Sequence, residues 1–437
     1  MAKLNKGIKL WRKAKKIIPG GGMLLSKKPE MFAPDLWPTY FVKSKGCFVW
    51  DLDNKKFMDM SLMGVGTNIL GYNHPEVNDA VLKTVDKGNL TTLNCPEEVY
   101  LASKLINLHP WADMAKFART GGEANAVAIR IARAASGKDN VAICGYHGWN
   151  DWYLAANLKT NKNLKSHLFD GLNPEGVPKK LKNTVFPFEY NNFKQLEKII
   201  KTKNIGVIKM EVSRNFPPLK NFLQNVKKIA TKNNIILIFD ECTSGFRRCN
   251  GGLHKFYKIN PDIAVFGKAL GNGYAISAII GKKNVMKSAE NTFISSTFWT
   301  ERIGPTAALK TLEVMKKTKS WEKITKTGKF IQSSWKKIAE KNNLEINISG
   351  QPAISSFSFN SKNNLKYKTL ITQEFLKKNI LASNLMFMST AHKKEHIDLY
   401  LYHLEKIFKI IADCENGLDI KKILKTRSSQ KGFKRFN

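Results

Sequence analysis

Two short apolar runs near the middle of the chain predict neighbouring buried strands. Residues 235–239 read Ile-Ile-Leu-Ile-Phe, and residues 263–266 read Ile-Ala-Val-Phe. Each run has the length of a strand, is bounded by turn residues and carries β-branched or aromatic side chains. The first run ends at Asp240 and the second is followed by Gly267 and Lys268. Each predicted strand therefore delivers one ionisable side chain to its carboxyl end.

The same alternation of apolar runs and amphipathic stretches continues on both sides of this pair. It predicts an α/β fold with a mostly parallel sheet that is covered by helices on both faces. The predicted strands are 114–117, 141–144, 205–210, 235–239, 263–266 and 275–280. The predicted helices are 76–86, 96–108, 123–135, 192–200 and 219–233.

The pattern divides the chain into three parts. Residues 1–75 are predicted to form a helix followed by short strands, as part of a small lobe. Residues 76–310 form the large domain, and residues 311–437 form a smaller α+β domain with a basic tail. In that last part, residues 354–359 alternate with period two and predict a half-buried strand. Residues 398–414 are predicted to be a helix capped by Asp398.

Two further segments carry separate expectations. Residues 157–185 are polar, rich in Lys and punctuated by Gly and Pro, which is typical of a lid or a disordered loop. Residues 421–437 are basic and are expected to form a surface tail, or a segment docked by its two Phe side chains.

Composition excludes several classes of protein. The formal net charge is +37, but the Lys residues are scattered along all 437 positions, so a compositional bias is favoured over nucleic-acid or membrane binding. The six cysteines are widely spaced without a CxxC pair, so neither a zinc site nor a disulfide framework is expected. The chain shows no secretory signal and no apolar run long enough to span a bilayer. A cytoplasmic location is expected.

The acid and the amine at the two strand ends suggest one cofactor. Ligands of open α/β sheets bind beyond the carboxyl ends of the strands. Taken alone, Asp240 is a common turn residue and Lys268 a common surface residue. Together they suit pyridoxal phosphate (PLP), which needs a charged partner for its ring nitrogen and an amine for a Schiff base.

Two other strand ends carry weaker signals for the same cofactor. Thr120, Gly121 and Gly122 precede a predicted helix, where backbone N–H groups and the helix dipole favour a phosphate. Tyr146 follows another strand and is placed to stack on a flat ring. Residues 295–302 are rich in hydroxyl groups and end in Arg302, which suits contact with a phosphate in this subunit or across a dimer interface.

These motifs, taken with their spacing, resemble a known family over nearly the whole chain. The sequence is similar to the class III (subgroup II) aminotransferases of PLP fold type I, which is the aspartate aminotransferase-like fold. It is closest to the glutamate-1-semialdehyde 2,1-aminomutase branch. The matching segments are 18–21, 50–53, 69–75, 120–124, 146–148, 239–242, 245–247 and 267–273.

The resemblance implies a role for each matching residue. Lys268 forms the Schiff base and shuttles protons, and Asp240 pairs with the protonated ring nitrogen. Tyr146 stacks on the ring, Cys242 packs against its other face, and His147, next to Tyr146, is also expected to bind the cofactor. The implied phosphate ligands are Thr120, Gly121, Gly122 and, from the partner chain, Thr297. The resemblance also implies a homodimer with active sites at the interface, small-molecule amino donors and acceptors, and no metal.

The sequence departs from that branch around the substrate. Val65 aligns with a Trp of the aminomutases and Asn384 with a Glu. Arg214 and Arg302 are additional cations that either clamp an anionic substrate or remain solvated. These changes favour an intermolecular transaminase over an aminomutase that acts within one molecule. A basic nucleic-acid-binding protein and a PLP-fold regulator without catalysis remain as alternatives.

Overall fold

The computed structural model describes residues 5–160, 163–164, 172–213 and 215–431, which form two compact units. One unit combines Met1–His74 with Lys323–Asn437, and the other is Pro75–Glu322. The strands are β1 (Phe41–Lys45), β2 (Phe48–Asp51), β3 (Lys56–Asp59), β4 (Met114–Ala118), β5 (Asn140–Cys144), β6 (Val185–Pro187), β7 (Ile205–Glu211), β8 (Ile236–Asp240), β9 (Ile263–Phe266), β10 (Ser277–Gly281), β11 (Ile346–Ser349), β12 (Ile354–Phe359), β13 (Ile380–Leu381) and β14 (Leu385–Phe387).

The helices confirm most of the pattern predicted from the sequence. They are α1 (Lys6–Ile17), α2 (Met63–Gly66), α3 (Pro75–Val85), α4 (Pro96–Leu108), α5 (Gly121–Ser136), α6 (Asp151–Leu154), α7 (Phe193–Lys203), α8 (Phe222–Lys232), α9 (Leu253–Phe256), α10 (Lys283–Met286), α11 (Ile303–Thr318), α12 (Ser320–Lys341), α13 (Asn364–Leu376), α14 (Lys394–Glu415) and α15 (Ile420–Ile423). Among these described helices, none is long and apolar enough to cross a membrane.

The unit formed by Pro75–Glu322 is built on a seven-stranded sheet of order β4-β10-β9-β8-β7-β5-β6. Strands β6, β5, β7, β8 and β9 run parallel, and β10 is antiparallel to both of its neighbours. The mostly parallel α/β class predicted from the sequence is therefore confirmed.

Side chains on the two faces of this sheet enter two different cores. On β8, Ile236 and Ile238 pack into the core that includes α5, whereas Leu237 and Phe239 pack into the core that includes α8. Because both faces are covered, the central strands are apolar at nearly every position. This arrangement leaves the strand ends as the places where polar side chains gather.

The unit formed by Met1–His74 and Lys323–Asn437 contains two smaller sheets. One has the order β1-β2-β3-β13, and the other has the order β11-β12-β14. The turn between β2 and β3 is held by Asp51, whose Oδ1 accepts hydrogen bonds from the N–H groups of Asp53 and Lys55, both at 2.9 Å. The strand predicted at residues 354–359 is confirmed as β12.

In the C-terminal region the predicted helix start was wrong, and the basic tail is docked at two residues of its described part. Helix α14 begins at Lys394, one turn before the expected cap, and Asp398 instead forms an ion pair with Lys394 at 2.6 Å within the helix. The tail does not lie free up to residue 431, since Ser429 N donates to Thr369 Oγ1 at 2.8 Å and Gln430 N donates to Glu30 O at 2.8 Å. The two Phe residues of the tail, at positions 433 and 436, lie outside the described residues.

The segment 157–185, predicted as a lid or a disordered loop, is described only in part, since residues 161–162 and 165–171 lie outside the description. In the described part, Asn157 is buried and its Oδ1 accepts a hydrogen bond from Leu164 N at 3.0 Å. Asn157 also donates to Leu172 O at 2.5 Å. These two hydrogen bonds are internal to the segment, whereas Leu164, Val177 and Val185 belong to the core that includes α5 and pack the described part against the unit.

Candidate active site

Asp240 is the last residue of β8 and is 3 % exposed. Its Oδ2 accepts hydrogen bonds from Asn125 Nδ2 at 2.9 Å and His147 Nδ1 at 2.8 Å, and its Oδ1 accepts one from Cys242 N at 3.0 Å. Burial alone would raise the pKa of Asp240, but the His147 hydrogen bond and the charge of Lys209 outweigh it and hold the pKa well below its usual range. The carboxylate is therefore a fixed negative charge inside the unit.

His147 and Asn125 fix the direction of that carboxylate. His147 follows β5 and is fully buried, and its ring lies 6.3 Å from that of Trp152, nearly parallel to it. Asn125 lies in the second turn of α5 and donates both to Asp240 and to the His147 carbonyl, at 3.2 Å. Because His147 Nδ1 donates to the carboxylate, this side chain supports Asp240, and a direct contact of His147 with the cofactor stays a prediction.

Lys268 lies directly after β9, at the same edge of the sheet as Asp240. It opens a short 3-10 helix, Lys268–Gly271, with φ of 44°. Its Nζ donates to Thr243 Oγ1 at 2.8 Å, and Thr243 lies three residues beyond Asp240. Since β8 and β9 are parallel neighbours, the acid and the amine predicted from the two apolar runs come together.

The start of α5 provides a site for an anion on the same unit. Gly121 and Gly122 occupy the first turn of the helix, where backbone N–H groups have no partner within the helix. A Cβ at Gly121 would lie 3.3 Å from Cys242 Sγ, which is tighter than an ordinary van der Waals contact, so glycine suits this close approach. The Thr120 hydroxyl, expected to be a further donor, is engaged in a capping box and donates to Glu123 Oε2 at 3.0 Å.

Arg119 ties a second segment to this helix start. Its Nη2 donates to the carbonyls of Trp299 and Glu301, both at 2.8 Å, and its Nε lies 2.8 Å from Glu301 Oε1. Trp299 Nε1 in turn donates to Glu123 Oε1 at 3.3 Å. Thr297, which opens this segment, is exposed.

Tyr146 and Cys242, the two residues expected to contact a ring, follow β5 and β8 at the same edge of the sheet. Tyr146 is half-buried, its N–H donates to Glu211 Oε2 at 3.1 Å, and its ring meets that of Tyr153 edge-on at 6.0 Å. Burial raises the pKa of the Cys242 thiol well above its usual value, so this side chain remains a neutral thiol. A neutral sulfur between two glycines suits contact with a flat ring.

Of the two arginines expected either to bind an anionic substrate or to be solvated, the structure describes only Arg302. Arg302 lies 22 % exposed against Glu97, with Nη2–Oε1 and Nε–Oε2 distances of 2.7 and 3.2 Å. This bidentate pair makes it a structural residue at the start of α11, so the expectation of a solvated or substrate-binding cation was wrong here. Arg214 lies outside the described residues.

The two positions that depart from the aminomutase branch lie in the other unit. Val65 has φ of 60° and ψ of 39°, a left-handed conformation that is costly for a β-branched residue. The Asn384 side chain donates to Phe357 O at 2.7 Å. Its amide is thus used for local structure.

Several residues around the site were not predicted from the sequence as site residues. Asn125, Arg119 and Thr243 each act through a contact with a residue that was predicted. Asn125 lies four residues beyond Gly121 on α5, which is the spacing that places two side chains on one helix face and is the signal that could have found it. Thr243 has no comparable signal, because its contact with Lys268 crosses 25 positions of the chain.

These groups fit PLP. A buried carboxylate is present for a ring nitrogen, an amine for the aldehyde carbon, and first-turn N–H groups for a phosphate, where a Cβ at Gly121 would intrude. Within the described residues, no group of three or more His, Cys, Asp or Glu side chains could hold a metal ion.

Comparison with known proteins agrees with this chemistry. The family model described as aminotransferase class-III matches residues 33–408. The chain is 31 % identical to the 3-aminobutyryl-CoA aminotransferase of Cloacimonas acidaminovorans, over 95 % of this chain and 99 % of that protein. It is 32 % identical to the glutamate-1-semialdehyde 2,1-aminomutase of Nitrosopumilus maritimus, over 91 % of this chain and 97 % of that protein.

A solved structure is similar over almost the whole chain. The FumI protein of Sphingopyxis sp. MTA144, solved with PLP, has a TM-score of 0.85 and 22 % identity and covers 96 % of this chain and 99 % of its own. At that level of identity the likeness shows the fold alone.

Proposed function

This chain belongs to the class III aminotransferases, and we propose that it is an intermolecular transaminase that uses Lys268 and Asp240 as its central pair. PLP is the cofactor. The observation that carries the proposal is the meeting of a buried carboxylate and an amine at the carboxyl ends of two adjacent parallel strands. That pairing satisfies the two chemical requirements of the cofactor at one place in the fold.

Bound PLP supplies an electron sink for negative charge at the carbon next to the amino group. Asp240 keeps the ring nitrogen protonated, because its carboxylate stays ionised. Lys268 moves the proton at the substrate carbon, and Thr243 Oγ1 holds its Nζ in place. With PLP bound, the N–H groups of Gly121 and Gly122 would hold the phosphate, and Tyr146 and Cys242 would pack against the ring.

The substrate positions support transfer between two molecules. In the aminomutase branch a Trp and a Glu stand where this chain has Val65 and Asn384. Val65 is smaller and apolar, and the Asn384 amide is bound to a backbone carbonyl and carries no charge. Neither residue supplies the ring or the carboxylate that the branch has for exchange within one molecule.

The relatives indicate a substrate class to test first. The similarity to a 3-aminobutyryl-CoA aminotransferase extends over nearly the full length of both proteins. We therefore propose a 3-amino acyl thioester, or the corresponding 3-oxo compound, as one of the two substrates. The net charge of +37 attracts an anionic substrate of this kind.

A half-reaction tests the proposal directly. PLP-loaded protein is mixed with 3-aminobutyryl-CoA, or with single amino acids, without any acceptor. We expect the cofactor absorbance near the visible range to disappear and one oxo product to form per site, with no change in the Lys268→Ala variant. Conversion of glutamate-1-semialdehyde to 5-aminolevulinate without an added donor would overturn the intermolecular assignment.

We further propose a homodimer in which Thr297 contacts the partner's phosphate site. Thr297 is exposed, and Phe298 beside it is 72 % exposed, which suits a surface that another subunit covers. Mixed dimers of Thr297→Ala and Lys268→Ala chains test this. If Thr297 serves the partner's site, the mixed dimer has one site with both residues intact, and its activity exceeds the mean of the two homodimers; an activity equal to that mean would contradict the proposal.

We also propose a reducing compartment and no nucleic-acid partner for this protein. All six cysteines are free thiols, which suits a reducing compartment such as the cytoplasm. That nucleic acid is not a partner stays a prediction, and a binding assay with single-stranded and double-stranded DNA at 150 mM salt is the check.

A further inference from the structure

Lys209 occupies a position where a lysine is costly. It lies in the middle of β7, between Ile143 of β5 and Ile238 of β8, and is 0 % exposed. Among the described residues its Nζ has no hydrogen-bond acceptor. Burial of an amine without such a partner destabilises a protein, and an apolar side chain of similar volume would fit this core better.

The side chain shares a face of the sheet with Asp240. Residues 207, 209 and 211 of β7 alternate onto the face that carries residues 236, 238 and 240 of β8, and Val207 and Ile238 pack into one core there. Glu211, two residues beyond Lys209, is paired in register with Asp240. Lys209 and Asp240 thus lie on the same face of the sheet, on adjacent strands, and are two positions apart in the register.

The titratable groups around Lys209 come from β7, from β8 and the loop after it, and from the segments that follow β5 and β9. Burial lowers the pKa of Lys209, and Asp240 is the strongest of the groups that oppose this effect, ahead of Cys242 and Glu211. The other titratable groups near the carboxylate are His147, which donates to it, and Lys268, whose charge acts on Cys242. Asp240 is therefore the anion to which the Lys209 ammonium responds most.

We propose that Lys209 is a positioning residue that acts through Asp240. Its ammonium group neutralises the carboxylate when the ring site is empty, and it competes with the ring nitrogen for that carboxylate when PLP is bound. Two cations that share one anion repel each other, so Lys209 lowers the proton affinity of the ring nitrogen and weakens the retention of the cofactor. This inference rests on the proposed role of Asp240 as the partner of that nitrogen.

The test replaces the charge and follows the ring nitrogen itself. Lys209→Met keeps the shape of the side chain and removes the amine. PLP labelled with 15N at the ring nitrogen is bound to the parent and the variant, and its NMR shift is titrated between pH 6 and 10. We expect the midpoint of the variant to lie at least about one pH unit higher, and the apoprotein to bind PLP about tenfold more tightly.

A second lysine serves as the control for the loss of one positive charge from the same sheet. Lys116 lies on β4, an edge strand of the same sheet, and is half-buried. Lys116→Met should titrate as the parent does. Urea unfolding of PLP-loaded Lys209→Met should remain a single cooperative transition with the slope of the parent, so that a shifted midpoint does not reflect a damaged core.

Each outcome decides the matter. An unshifted midpoint in a folded Lys209→Met protein overturns the inference. Lys209→Gln is the second variant: it keeps a polar group without the charge, and we expect the same shift, whereas a parental midpoint would mean that polarity and not charge matters. If instead Asp240→Asn titrates as the parent does, the proposed role of Asp240 fails, and the inference fails with it because Lys209 acts through that carboxylate; a parental midpoint in Lys209→Met alone overturns only the inference.

Discussion

His109 should make the protein sensitive to mild acid. It caps the end of α4 and is 0 % exposed. Its Nδ1 lies 2.9 Å from Leu105 O and therefore carries the proton, while Nε2 accepts a hydrogen bond from Gly252 N at 3.0 Å. A second proton on Nε2 would face that N–H group and break the bond. Gly252 belongs to the loop that follows β8, so this histidine helps to fix the loop that carries Thr243.

The size of the effect follows from the depressed pKa. Burial lowers the pKa of His109 from 6.5 to about 4. Since the unfolded chain binds this proton more tightly than the folded chain, stability is complete above pH 6.5 and falls as the pH drops towards 4. With an unfolded pKa of about 6.5, the loss is about 2 kcal/mol at pH 5 and about 3.4 kcal/mol once both states are protonated.

Urea unfolding of the apoprotein at pH 7 and pH 5 measures this loss. We expect His109→Gln, which has an amide donor and acceptor but does not titrate, to lose about 2 kcal/mol less than the parent between the two pH values. His403→Gln, at a half-exposed position, is the comparison: partial burial and the charges of Lys378 and Lys406 also lower the pKa of His403, so this variant should depart from the parent in the same direction but by less than His109→Gln. An identical pH dependence of the parent and His109→Gln would refute the reasoning, because it would mean that His109 is protonated equally in both states.

Three further substitutions probe the site and the backbone. Asp240→Asn keeps the shape of the side chain without its charge, and we expect turnover to fall at least about 100-fold with PLP still bound, as steady-state assays at known cofactor occupancy will show. Val65→Gly relieves the left-handed conformation and should raise the free energy of unfolding by about 1 kcal/mol, whereas a decrease in urea titrations would contradict this. Gly328→Ala places a Cβ 1.8 Å from Pro352 O. Although alanine favours helices, this clash should lower the free energy of unfolding by more than about 2 kcal/mol. Ser333→Ala, at an exposed position of the same helix, is the control and should change the free energy of unfolding little.

The fold was predictable where a strand is apolar from end to end. Strand β9 has the predicted bounds, and β8 differs from its prediction by one residue at each end, because a doubly covered strand leaves a continuous apolar run in the sequence. The same apolar runs also predicted where the two strands end, and Asp240 and Lys268 could therefore be predicted to lie at neighbouring strand ends.

Contacts between residues far apart in the chain could not be predicted from the sequence pattern. Nothing near Thr243 in the sequence indicates its hydrogen bond to Lys268. The docking of Ser429 onto Thr369 crosses 60 positions, so a basic tail could not be distinguished from a packed segment. The burial of Lys209 could not be predicted for a different reason. A single polar residue in an apolar strand is usually solvated, and only the strands on both sides of β7 show that this one is buried.

The start of α14 shows how local capping rules mislead. Asp398 is a good N-cap residue by type, but the helix extends one turn further towards the N-terminus and uses Asp398 in an ion pair with Lys394.

The central claim is that residue 268 holds the cofactor, and reduction with borohydride tests it most directly. PLP-loaded protein is reduced and digested, and the modified peptide is identified by mass spectrometry. We predict a single pyridoxyl group on Lys268, and none in the Lys268→Ala variant treated in the same way. A pyridoxyl group on any other lysine, with Lys268 unmodified, would contradict the account.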